Sequence, residues 1–184
     1  MNRSLIHLTR VGVVLLVTFN GPDVFPQNGT GGGCPVNIQR DAIQQELERA
    51  SSAAIDAIKS GKPEKLMPLL STRGVFLGTD GPLVSVPAIH KQMSTRTGIY
   101  CVIYDSACLK KELNDSRKKA GASPDTTGIM SFRDQLERSN VTIKTSMSSE
   151  ASSCSGTTSD GSPSFDLEWK RTSSGWKIAA IPYL

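Results

Sequence analysis

The last twenty residues constrain the fold most. Phe165, Leu167 and Trp169 alternate with Asp166, Glu168 and Lys170, the period-2 pattern of a strand with one buried face. Thr172-Ser173-Ser174-Gly175 then supplies turn residues, and Trp176 to Ile181 (WKIAAI) returns as a second apolar strand. A chain that ends this way must cover one face of a hairpin, and the covering layer has to come from earlier residues.

That layer is legible at 38–60. Ile43, Leu47, Ala50, Ala54, Ile55 and Ile58 recur at helical spacing, with Glu46, Glu48, Arg49 and Lys59 between them. Asn37 fits the N-cap and Gly61 the stop. Pro63 opens a second short helix to Leu70, because proline suits a first helical turn. Val75 to Leu77 reads as a strand, Gly78 to Gly81 as a turn, and Ser85 as the cap of a helix through Ile89, His90 and Met93. Ile99 to Tyr104 (IYCVIY), rich in β-branched and aromatic residues, reads as a strand. Residues 107–120 have helical composition with Leu109 and Leu113 one turn apart; 121–128 form a loop, and Phe132 with Leu136 marks another short helix. Val141 to Ser146 alternates as a strand, whereas Ser148 to Ser164 is Ser/Gly/Thr-rich and reads as a long mobile hairpin tip.

The N-terminus has the layout of a secretory signal. Arg3 and Arg10 precede a nine-residue apolar run, Val11 to Phe19. Crossing a bilayer takes about 20 apolar residues, so the run does not predict a membrane span in the mature form. Gln27 to Gly33 reads as a flexible linker. Residues 1–33 are therefore expected to be signal segment and linker, with 34–184 a single domain exported to the periplasm or the extracellular space.

The four cysteines, Cys34, Cys101, Cys108 and Cys154, all follow that segment, and an even number in an exported chain favours disulfides. Four allow three connectivities. A turn at Tyr104-Asp105-Ser106 favours Cys101 with Cys108, which leaves Cys34 with Cys154. With no CxxC spacing, and His90 the one histidine outside the signal, no metal site is expected. The net charge of +4 and basic pairs interrupted by Glu112 and Asp115 argue against a nucleic-acid partner.

Helices first, a lone strand, another helix, then antiparallel strands closing in a Trp-bearing hairpin is an α+β order. With Phe165 to Arg171 followed by Gly175-Trp176-Lys177-Ile178, the chain resembles the nuclear transport factor 2-like superfamily, the cystatin-like cone fold. The resemblance covers residues 38–184, departing at 106–140, where this chain carries a helical and loop insertion. It implies a curved antiparallel sheet packed on N-terminal helices, forming a cone that holds a small apolar ligand, and a sheet face available for a homodimer. It does not transfer an activity.

Enzymes of that fold place an acid in the cone for proton transfer. The candidates are Tyr100 and Tyr104, which share a face of their strand, with Asp56 or Asp80 as acid, and His90 and Trp169 as further pocket residues. Each also has an ordinary reading: Asp56 and His90 as helix surface, Asp80 as a turn residue, the tyrosines and Trp169 as core. No GxSxG elbow or phosphate-cradling loop is present, and nothing calls for a cofactor. Asn28, Asn114 and Asn140 match the glycosylation acceptor pattern. The residues thus lead to an exported, non-enzymatic domain binding a small apolar ligand or a protein partner, with a small isomerase- or dehydratase-like enzyme as the alternative. A third possibility is an interaction protein with no ligand, for which a cone filled by side chains would be the sign.

Overall fold

A computed structural model describes residues 40–78, 81–138, 142–150, 153–161 and 165–182. The signal segment, the domain boundary at 33–34, Asn37, Cys34 and Asp80 lie outside these residues. Helix α1 spans Arg40–Lys59 and buries Ile43, Leu47, Ala54, Ala57 and Ile58, as its apolar stripe requires. Ser51 is buried on the same stripe. Pro63 opens α2, Pro63–Leu66, which continues as a 3-10 turn at Met67–Leu69. Short strands β1, Val75–Leu77, and β2, Leu83–Val84, follow, then α3, Val86–Thr95.

Residues 99–104 depart from expectation. They form a helix, α4 (Ile99–Tyr104), not a strand. Five of its six residues are buried, so no period separates its faces, and an apolar run of this kind fits helix or strand equally well. Its surroundings decide. Arg96 closes α3 in the left-handed region at φ 55°, and Gly98 (φ 54°) redirects the chain. Asp105 ends α4 and caps α5, Ser106–Lys119, by accepting the Cys108 N–H at 2.9 Å. The Cys101–Cys108 disulfide clamps the two helices across that junction.

Helix α5 buries only Leu109, so most of it is solvated. After the expected loop, α6 (Phe132–Leu136) re-enters the core, where Phe132 meets Phe165 edge-on at 4.7 Å between ring centroids. Asn114 is half-buried on α5; Asn28 and Asn140 lie outside the described residues.

Strands β3 (Lys144–Glu150), β4 (Ser153–Ser159), β5 (Asp166–Thr172) and β6 (Gly175–Ile181) complete a six-stranded open sheet in the order β2-β1-β6-β5-β4-β3. The fold is α+β, with helices packed on the sheet, as expected. Two corrections apply within it. The sheet is mixed, because β1 pairs parallel with β6 through Phe76–Ala180 and Leu77–Ile181. These strands are not hairpin-connected, so nothing in the chain enforces antiparallel pairing between them. The Ser/Gly/Thr-rich segment read as a mobile tip holds β4, an interior strand between β3 and β5. Its small residues are what permit α1 to lie close.

Two glycines fix the hairpin and the helix layer, one by its backbone angle and one by a close approach. The β5–β6 turn needs Gly175, whose φ is 94°, and Thr172 Oγ1 donates to the Gly175 carbonyl at 2.8 Å. At Gly156 in β4, a Cβ would stand 2.3 Å from Cδ2 of Leu47, so only glycine lets α1 seat there.

Candidate functional site

Among the described residues, the space between the helices and the sheet is occupied by buried side chains. Trp169, Phe132, Phe165, Leu47, Ile58 and Ile178 are each under 2% exposed. Beneath α1 lies a polar node. Trp169 Nε1 donates to Thr158 Oγ1 at 2.9 Å, Thr158 donates to Ser51 Oγ at 2.9 Å, and Thr145 Oγ1 donates to the same Ser51 oxygen at 3.1 Å. These hydroxyls from one helix and two strands satisfy one another and the indole, as buried polar groups must. Trp169 is thus a core residue tied to α1 through hydroxyls.

The other pocket candidates do not converge on it. Asp56 is exposed on the outer face of α1, among Gln45, Glu48, Arg49 and Ser52. His90 is exposed on α3. Tyr100 and Tyr104 do share a face, but of α4, where i, i+4 spacing sets their rings 5.3 Å apart and tilted by 43°, with the Arg96 guanidinium 5.9 Å from the Tyr100 ring. The structure therefore brings the two tyrosines together and leaves Asp56 and His90 apart from them.

Sequence reasoning missed the groups that do act on Tyr104. Its hydroxyl is buried and has no hydrogen-bond partner among the described residues. Burial pushes its ionisation well above the usual phenol range; the Glu64 carboxylate and Tyr100 add to this, and Arg133 opposes it. A phenol held protonated, without a partner, is poorly placed to pass a proton. A consequence follows for pH. Below about pH 10 the tyrosine is neutral in both folded and unfolded chains. Above that the unfolded chain ionises first, so stability falls as pH rises further. Tyr104→Phe should keep or raise stability at neutral pH, by up to about 1 kcal/mol, since the hydroxyl it removes is unpaired. It should also flatten the alkaline decline in urea midpoint between pH 9 and 11, roughly the range around the free phenol value. A variant less stable than wild type at pH 7 would show that the hydroxyl has a partner.

Cys101, Cys108 and Glu112 present donor atoms within 4.8 Å of one another. They are already engaged: the sulfurs are joined, and Glu112 accepts the Gly98 N–H at 2.9 and 3.1 Å. The cluster is a clasp over the α3–α4–α5 junction. Cys154, buried in β4, is disulfide-bonded as well; its expected partner, Cys34, lies outside the described residues.

The outer face of the sheet is accessible. Across all six strands one row of that face reads Leu83, Phe76, Ala180, Glu168, Thr157, Ser146. Phe76 and Leu83 are each 49% exposed and are cross-strand partners. Further along the face, Ser146, Ser148, Ser155, Thr157, Glu168 and Lys170 border a shallow groove of about 200 Å³. Among the described residues no helix is long and apolar enough to cross a membrane. No family model and no curated protein matches the chain.

Proposed function

We propose that this chain is an exported, non-enzymatic interaction domain of nuclear transport factor 2-like type, which grips a protein partner through the outer face of its sheet. The observation that carries the reading is the seat of Leu47 on Gly156, above the hydroxyls of Ser51, Thr145 and Thr158. Side chains of the protein itself take up the volume that an apolar ligand or a substrate would need. Of the two ligands expected from sequence, a protein partner is therefore favoured over a small apolar molecule.

Phe76 and Leu83 supply the anchor. Single exposed apolar side chains are ordinary on any surface, but Phe76 and Leu83 are exposed as a cross-strand pair. Large apolar groups at the centre of a polar rim are the usual energetic anchors of interfaces. Export is supported by the N-terminal apolar run together with the Cys101–Cys108 disulfide.

A photo-crosslinking residue placed at position 76 or 83 should trap a discrete protein adduct in the exported fraction. The same probe at Asp56 or His90 should not. Phe76→Ser with Leu83→Ser should remove the adduct formed by a probe at position 168, while changing stability by no more than about 0.5 kcal/mol per site. Equal trapping from all positions, or none from 76 and 83, would refute the assignment of this face.

A further inference from the structure

Among the described residues the sheet has one long edge. β3 is its last strand, seven residues in regular antiparallel register with β4 from Lys144–Ser159 to Glu150–Ser153, without a bulge or a proline. Exposed edges usually carry such interruptions, because a regular row of free peptide groups invites another strand.

Which peptide groups are free follows from one contact. The Thr145 carbonyl accepts Gln44 Nε2 of α1 at 3.2 Å, so the peptide groups of Thr145 point away from β4. In an antiparallel ladder this direction alternates, so Met147 and Ser149 face the edge with it.

We propose that β3 pairs antiparallel with β3 of a second copy, centred on Met147, joining the two sheets edge to edge. The strand is complementary to itself in this register. Lys144 and Glu150 stand three residues either side of Met147, so each end of the ladder sets a lysine opposite a glutamate. Thr145 falls opposite Ser149, Met147 opposite its own copy, and these are the residues with edge-facing peptide groups. No other antiparallel register of this strand against itself sets Lys144 opposite Glu150. Opposite charge at both ends selects a second copy over an unrelated strand. The isologous contact closes on itself as a twofold dimer, since each copy uses its one long edge. Gln44 is the guard: its amide occupies the Thr145 carbonyl and has to swing aside for pairing. The outer face with Phe76 and Leu83 stays free, so the dimer presents two copies of it.

The test is sedimentation equilibrium of the disulfide-intact chain over a concentration series at low salt. Wild type should show reversible dimerisation. Lys144→Glu puts like charges at both ends and should weaken it about tenfold, as should Glu150→Lys, while the double exchange should restore it. Gln44→Ala should tighten it. Met147→Pro, which deletes an N–H that β4 does not use, should abolish it with near-ultraviolet dichroism unchanged. Should that variant misfold, the charge exchange alone decides. A monomer at every concentration overturns the proposal. So does a dimer insensitive to the single reversals, or one not restored by the double. A dimer lost instead with Phe76→Ser and Leu83→Ser would place the copies face to face and also overturn it. Loss of partner crosslinks at position 76 with this dimer intact would count against the partner reading alone.

Discussion

Leu47→Ala is expected to cost about 3–5 kcal/mol, the upper range for truncating a buried leucine. Leu47 is wholly buried and rests against the backbone of β4 at Gly156. Backbone cannot rotate into the space as a side chain would, so the cavity stays open and adds to the lost transfer energy. Gly156→Ala approaches the same contact from the other side. Its new methyl would stand 2.3 Å from Leu47 Cδ2 and 3.1 Å from the Ser146 carbonyl oxygen. Overpacking of that kind costs about 1–3 kcal/mol. The two changes should be strongly coupled, because the alanine methyl occupies part of what the leucine vacates. Urea unfolding of wild type, both single variants and the double variant measures this. The double should lose at least about 1 kcal/mol less than the sum of the singles. Additive losses would mean that the helix and β4 are not in contact there.

Thr158→Val should cost about 2–4 kcal/mol, although it is nearly isosteric. Thr158 is fully buried and both accepts from Trp169 and donates to Ser51. Valine leaves a buried indole N–H with no acceptor and removes a donor from Ser51, each a desolvation penalty without return. The adjacent Thr157→Val is the internal control. Its hydroxyl meets Ser146 at 2.8 Å on the exposed outer face, so the change should stay within about 0.5 kcal/mol. Ser51→Ala combined with Thr158→Val should cost less than the two changes summed, since each alone strands part of one network. Thermal unfolding followed by tryptophan fluorescence reads both the stability and the environment of Trp169.

What the sequence could show depended on how many faces each element buries. Helix α1 and the β5–β6 hairpin have one buried and one solvated face, so their periods of 3.6 and 2 are written in the residues. Helix α4 is buried nearly all round, which erases the period and leaves composition, and β-branched composition points to strand. β4 fails in the opposite sense. Ser155, Gly156, Thr157 and Thr158 look too polar and too small for a core strand. Yet Gly156 has to be small because Leu47 sits on it, and Thr158 is buried because partners meet its hydroxyl. A trace of this was visible: Ser51 lies on the apolar stripe of α1, four residues after Leu47, where a small polar side chain implies a buried partner. Of the candidate site, the Cys101–Cys108 pairing and the tyrosine pair were legible, because both follow from local spacing. Glu64 and Arg133, which bear on Tyr104, come from α2 and α6, and no spacing along the chain brings them there.

In the function proposed for this chain, the interior belongs to the protein's own side chains and the outer sheet face serves recognition. The Leu47 seat and the Ser51 node both lie between α1 and the sheet, where an apolar molecule would have to enter. Native mass spectrometry of the chain recovered from the exported fraction, compared with the same sample after unfolding, tests this most directly. The predicted result is one mass for the polypeptide under both conditions, with no small molecule released. A stoichiometric apolar molecule that leaves only when the chain unfolds would contradict it.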